Sequence, residues 1–132
     1  MAGTGADVQA RVAHIRKAAL ELILGASRDL YPNEFIGLLR GKGDTIEEVL
    51  LLPGTLFGQG FAQVQLHMMP IDHSVIGSVH SHPGAGNRPS RQDLVWFGKT
   101  GRVHLIVRQP ALSIDDVACY GRDGGRLELK AK

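Results

Sequence analysis

The chain has 132 residues, of which 43% are hydrophobic and 21% charged, the values of an ordinary globular protein with material for one core. Its formal charge of +2 is spread without a basic run or stripe, which argues against nucleic acid as a partner. A single cysteine, Cys119, excludes an intrachain disulfide and a zinc ribbon, and no apolar run approaches the ~20 residues of a membrane span.

The first residues carry no basic-then-apolar leader, so the expectation is one soluble domain over 1–132, working in the reducing cytoplasm. Residues 1–7 are small and glycine-rich and read as disordered. From 8 to 27 the apolar positions Val8, Val12, Ile15, Ala19, Leu22 and Ile23 recur at three- and four-residue steps, which predicts a helix. Gly25, Ala26 and then Tyr31-Pro32-Asn33 end it. Strands are predicted over 35–39 and 45–52, around an Arg40-to-Asp44 turn.

A glycine-rich loop follows over 53–60, then a half-buried strand over 61–67, and another strand over 74–81. A second helix is predicted over 89–99, ended by Gly101. Three short strands, 103–107, 114–120 and 126–130, close the chain, with Asp123-Gly124-Gly125 turning the last pair. Helix, strands, helix, strands is an α+β order.

Chemistry concentrates where the strand over 74–81 ends, in VHSHPGAGNRPSRQD. Alternate side chains of a strand leave on one side, so His80 and His82 point together while Ser81 points away. With Asp93 they make three ligands and leave room for a water, the pattern of a catalytic zinc site. Ser90 and Asp93 also read as a helix start, Ser90 as N-cap and Asp93 as the acid at the third position, close to a capping box. The two readings are compatible, because a helix start fixes where both side chains point; a metal-bound Asp93 is not expected to cap freely, which favours the ligand role for it.

His82, seven residues, Ser90, two residues and Asp93, preceded by His80-x-His82, resemble the JAMM (MPN+) metalloprotease signature without departure. The signature's upstream glutamate is best matched by Glu34, in YPNEFIGLLRG, ahead of an apolar strand. The motif resemblance covers Glu34 to Asp93 and implies a compact prokaryotic member of the family. The implied fold is the MPN (JAB1/MPN, cytidine-deaminase-like) fold: a curved, partly closed sheet flanked by a long helix and a shorter one carrying part of the metal site.

The implied activity is that of a zinc-dependent (iso)peptidase. Its substrates would be conjugates made through the C-terminal glycine of a ubiquitin-like or sulfur-carrier protein. One Zn²⁺ per chain is expected on His80, His82 and Asp93, with Glu34 as general base and Ser90 as oxyanion helper. A strand-rim position should partly desolvate Glu34 and raise its proton affinity. The alternative within the family is a non-catalytic MPN scaffold, whose members typically lack the ligands retained here. A zinc deaminase would need a P-C-x-x-C element, and no HExxH occurs.

The remaining histidines read as structural: His14 in the first helix, His104 in a strand, His67 beside a loop, and His73 close enough in sequence to reach the rim of the site. Cys119 and the Trp96-Phe97 pair read as core. The loops over 53–60 and 68–73 are the expected substrate contacts.

Overall fold

In a computed structural model the chain is described over residues 11–52 and 73–132. The expected strand over 61–67, His67, the loop over 53–60 and most of that over 68–73 lie outside the described residues.

The elements run β1 (Val12–Ile15), α1 (Lys17–Leu30), β2 (Ile36–Lys42), β3 (Thr45–Leu51), β4 (Val75–Ser81), α2 (Arg91–Thr100) and β5 (Val103–Val107). A 3₁₀ turn (Ile114–Asp116), β6 (Val117–Tyr120) and β7 (Arg126–Ala131) complete them. The strands are ordered β1-β3-β2-β4-β5-β6-β7 and close into a barrel, because β1 pairs in parallel with both β3 and β7.

That closure corrects two expectations. Residues 12–15 are a strand rather than the start of the helix, and the sheet is closed rather than partly closed. Val12, Ile15, Ala19 and Ile23 fit a helical period, but over 12–15 burial alternates, with Ala13 and Ile15 wholly buried. Four residues are too few for that alternation to stand out in sequence. Pairing on both sides decides the matter: the backbone N–H of His14 donates to Asp44 O (2.9 Å) and that of Arg16 to Ile46 O (3.0 Å). His14 therefore lies in β1. The helix starts at Lys17 and runs past Gly25 to Leu30; the segment expected as strand over 114–120 opens with the 3₁₀ turn.

Strand alternation sorts the interior into two clusters, one under each helix. Leu39, Val79, Val103, Leu105, Val107, Val117 and Cys119 gather with Ala19, Ile23 and Leu24 of α1. Ile36, Leu38, Ile106, Ala118 and Tyr120 gather with Trp96 and Phe97 of α2. With helices on both faces, every residue of β5 is buried, which is why VHLIV shows no polar alternation beyond His104. Burying a side chain the size of Phe97 contributes roughly 2–3 kcal/mol, so the Trp96-Phe97 pair is the main anchor of α2.

β4, α2 and β5 form a parallel βαβ unit in close contact. A Cβ on Gly77 would overlap the carbonyl of Val103, and one on Gly101, at φ 135°, would overlap that of Ile76. The glycines let the end of α2 lie directly on β4. The front of α2 is thereby brought to the carboxyl end of β4, where open α/β sheets place their ligands.

Candidate metal centre

His80, next to last in β4, lies on the α2 side of the sheet, paired in register with Ile36 of β2 and Ile106 of β5. One residue beyond the strand, His82 is held by its backbone N–H, which donates to Val107 O (2.8 Å). The Nδ1–H of His82 donates to the carbonyl of Gly86 (3.3 Å), which leaves its Nε2 facing inward. The two Nε2 atoms lie 3.2 Å apart.

Asp93 meets them from the first turn of α2. Its Oδ1 is 3.2 Å from His80 Nε2, and its Oδ2 is 3.6 Å from His82 Nε2. The capping box is complete as well: Ser90 N–H donates to Asp93 Oδ2 (2.8 Å) and Asp93 N–H donates to Ser90 Oγ (3.1 Å). Asp93 therefore caps without turning away from the histidines, because the carboxylate has two oxygens. Oδ2 is fixed by the helix start, and Oδ1 is turned toward His80.

Donor atoms of His80, His82 and Asp93 all lie within 4.8 Å of one another. Bonds of ~2.0–2.1 Å in a tetrahedron put ligand atoms roughly 3.3 Å apart, close to the 3.2 Å between the two Nε2 atoms and the 3.2 Å from His80 Nε2 to Asp93 Oδ1. Two imidazoles and a carboxylate are also a donor set suited to zinc. The His80 and Asp93 side chains are 3% exposed and that of His82 23%, so the site opens on the His82 side.

The electrostatics suit a cation. Burial alone would raise the Asp93 carboxyl, but hydrogen bonds from His80 and His82 outweigh it and hold the group well below the usual carboxylate range. The bond to Asp93 raises His82 against the opposing effect of burial, with smaller contributions from Gly86 and from the charge of Glu34.

Glu34 stands one residue before Phe35, whose N–H donates to Ser81 Oγ (2.9 Å) and whose carbonyl accepts from Ser81 N–H (3.1 Å). Continuing the Ile36–His80 register outward sets Glu34 across from His82, and alternation puts it on the same side as Ile36. Glu34 is exposed, so the desolvation expected from its place at the strand rim is not present in the free protein. Ser81 was legible only as the residue pointing away; its hydroxyl is what ties the strand behind Glu34 to the metal-bearing strand.

His73 precedes β4, whose far end carries His80. The strand from Val75 to His80 alone spans roughly 17 Å, which sets His73 away from the rim of the site. His104, read as structural, is wholly buried between the ligand-bearing elements. It accepts at Nδ1 from the Ser78 hydroxyl (2.8 Å) and donates from Nε2 to Gly101 O (2.9 Å). Its ring stacks on Phe97 at 4.3 Å. Burial pushes its imidazole down to about 4, so it is neutral. Cys119, facing α1 beside Val117, is pushed up to about 12 by burial and is an inert core thiol.

Residues 16–119 match the family of prokaryotic homologs of the JAB domain. A probable metalloprotease of Haloferax volcanii is 38% identical over 128 residues, spanning 89% of this chain and 78% of that protein. A solved structure described as JAMM, a metalloprotease-like zinc site in the proteasome and signalosome, is 33% identical, with a TM-score of 0.71 over 92% of this chain and 98% of its own. A JAB1/MPN domain protein from Archaeoglobus fulgidus is 36% identical, with a TM-score of 0.71 over 89% of this chain and 97% of its own.

Proposed function

The chain belongs to the prokaryotic homologs of the JAB domain, a compact JAMM/MPN protein of metalloprotease type, and on that premise we propose that it cleaves the bond after the C-terminal glycine of a ubiquitin-like or sulfur-carrier protein conjugate. His80, His82 and Asp93 hold one zinc ion in this reading. The observation that carries it is the convergence of their donor atoms, all within 4.8 Å of one another, with Glu34 set across from the solvent-facing ligand, His82.

Zinc bound there supplies a Lewis acid and lowers the pKa of a water toward ~7. Glu34 accepts the proton of the attacking water and returns one to the leaving amine. A bound substrate tail would cover Glu34 and supply the desolvation that the free protein lacks. The scissile carbonyl oxygen becomes negative as the carbon turns tetrahedral, and the Ser90 O–H donates to it. A hydroxyl carries two lone pairs and one donor, so Ser90 can accept from Asp93 N–H and still donate. Ser90 is not a nucleophile here, and no acyl-enzyme forms.

A glycine-ended tail is extended and narrow, which suits addition to a sheet edge. Support comes from β3: β1 pairs with it only at Thr45 and Ile46, so among the described residues Glu48 to Leu51 pair with β2 alone. That edge runs toward the His80 end of the barrel and exposes Leu50 and Leu51. No helix among the described residues is long and apolar enough to cross a membrane. We place the activity in the cytoplasm, where Cys119 would stay a thiol.

The test uses a ubiquitin-like protein joined through its terminal glycine to a reporter, in one version by a lysine isopeptide bond and in another by a linear bond. Release of a product ending in glycine, abolished by a chelator and restored by zinc, is the expected result. Protein that holds zinc but releases nothing from either substrate would favour a non-catalytic scaffold.

A further inference from the structure

The two halves of the metal centre are joined by an irregular loop, residues 83–89, most of which is exposed. Left free, such a loop would let the Asp93 end of α2 wander relative to His80 and His82, and metal binding would then bear the cost of ordering it. It is not free. Three of its carbonyls accept hydrogen bonds: Gly84 O from the backbone N–H of Gln109 (3.0 Å), Gly86 O from His82 (3.3 Å), and Asn87 O from the Tyr120 hydroxyl (2.7 Å).

The third bond is the shortest and comes from a side chain that belongs to neither half of the site. Tyr120 ends β6, is 5% exposed, and has its ring stacked on Phe97 of α2 at 5.9 Å. The Arg126 guanidinium lies 5.7 Å from the centre of the same ring. Held by these neighbours, the ring cannot swing, and its hydroxyl is delivered to one place. Burial raises the phenol above its ordinary range, so it remains a donor at any physiological pH.

We infer that Tyr120 is a positioning residue of the metal centre, its hydroxyl pinning the loop between His82 and Ser90 so that the two histidines and Asp93 are set before the metal arrives. The inference rests on the reading of His80, His82 and Asp93 as zinc ligands. It adds a residue some distance along the chain from the ligands. The side chain of Asn87 adds only a long contact to Asp116 O (3.5 Å), so the backbone carbonyl is the anchored group.

Tyr120→Phe removes the hydroxyl and keeps the ring. Zinc affinity of the whole chain is read by competition with a chromophoric chelator at neutral pH, and ligand geometry by the visible spectrum of the cobalt(II) form. Partners that orient metal ligands are typically worth 10–100-fold in affinity, so Tyr120→Phe should weaken zinc about tenfold and alter the cobalt spectrum. Asn87→Ala keeps the carbonyl and should stay within about twofold of wild type.

A hydroxyl that only stabilised the fold would lower the melting temperature and leave the zinc Kd at 25 °C unchanged, since the protein is folded there. Tyr120→Phe with a zinc Kd within twofold of wild type and the same cobalt spectrum overturns the inference. So does an equal loss in Asn87→Ala, which would move the anchor to that side chain. Wild-type protein that binds no zinc overturns the metal centre itself, and the inference with it.

Discussion

Ser90→Ala separates a helix cap from a catalytic donor. The substitution removes the acceptor for Asp93 N–H but keeps the Ser90 backbone N–H, so the bond to Asp93 Oδ2 survives and the carboxylate stays aimed. Loss of an N-cap costs ~0.5–2 kcal/mol. Ser90 is exposed, so water can reach the freed N–H, which puts the cost near the lower end, at about 0.5–1 kcal/mol. For a chain of this length about 1 kcal/mol corresponds to roughly 4 °C, so the melting temperature should fall by about 2–4 °C. Zinc content should not change. If the hydroxyl also donates to the oxyanion, kcat should fall by ~10²–10³-fold with little change in KM, a loss of about 2.7–4 kcal/mol in the transition state. Ser90→Thr, which keeps both the lone pairs and the donor, should recover most of each. The assay is steady-state cleavage of the glycine-linked fusion beside thermal melting of the zinc-loaded protein. A variant that melts a few degrees early yet cleaves at near wild-type rate would refute the catalytic role and leave Ser90 a cap.

Glu34→Gln is nearly isosteric and cannot accept a proton, so zinc content and substrate affinity should be retained while kcat drops at least ~10²-fold. A rate within threefold of wild type would show that another group is the base. His104 makes a prediction about stability in acid. Its folded pKa of about 4 lies below the ordinary 6.5, so its contribution is complete above 6.5 and is lost as the pH falls toward 4, because only the unfolded chain then takes up the proton. The loss from this one group is roughly 3 kcal/mol, to be read from urea midpoints of the metal-free protein. Ring-proton chemical shifts that titrate His104 above about pH 6 would contradict it.

What the sequence disclosed about the site came from short-range rules. His80 and His82 share a side because a strand has a period of two, and Ser90 with Asp93 opens a helix because that spacing satisfies the first-turn N–H groups. Both rules act within a few residues, so both could be read without the fold. The helix start also explains how one carboxylate can serve two purposes. What was misread, or read without its contacts, depended on distant partners. β1 is a strand only because β3 and β7 flank it, and neither is near it in sequence. His104 and Tyr120 looked like ordinary strand residues, since Gly101, Phe97 and Asn87 become their neighbours only when α2 docks on the barrel. The exposure of Glu34 was hidden for the same reason: an apolar strand behind a carboxylate does not say how much of its rim is covered.

The central claim is that His80, His82 and Asp93 together hold a single zinc ion. Native mass spectrometry with elemental analysis, on protein purified without added metal and again after zinc reconstitution, tests it most directly. The account predicts one equivalent of zinc per chain in the wild type, and loss of most of it in His80→Ala, His82→Ala and Asp93→Ala with the far-ultraviolet circular dichroism kept. Wild-type protein that stays free of zinc after reconstitution, or alanine variants that bind it as tightly as wild type, would contradict it.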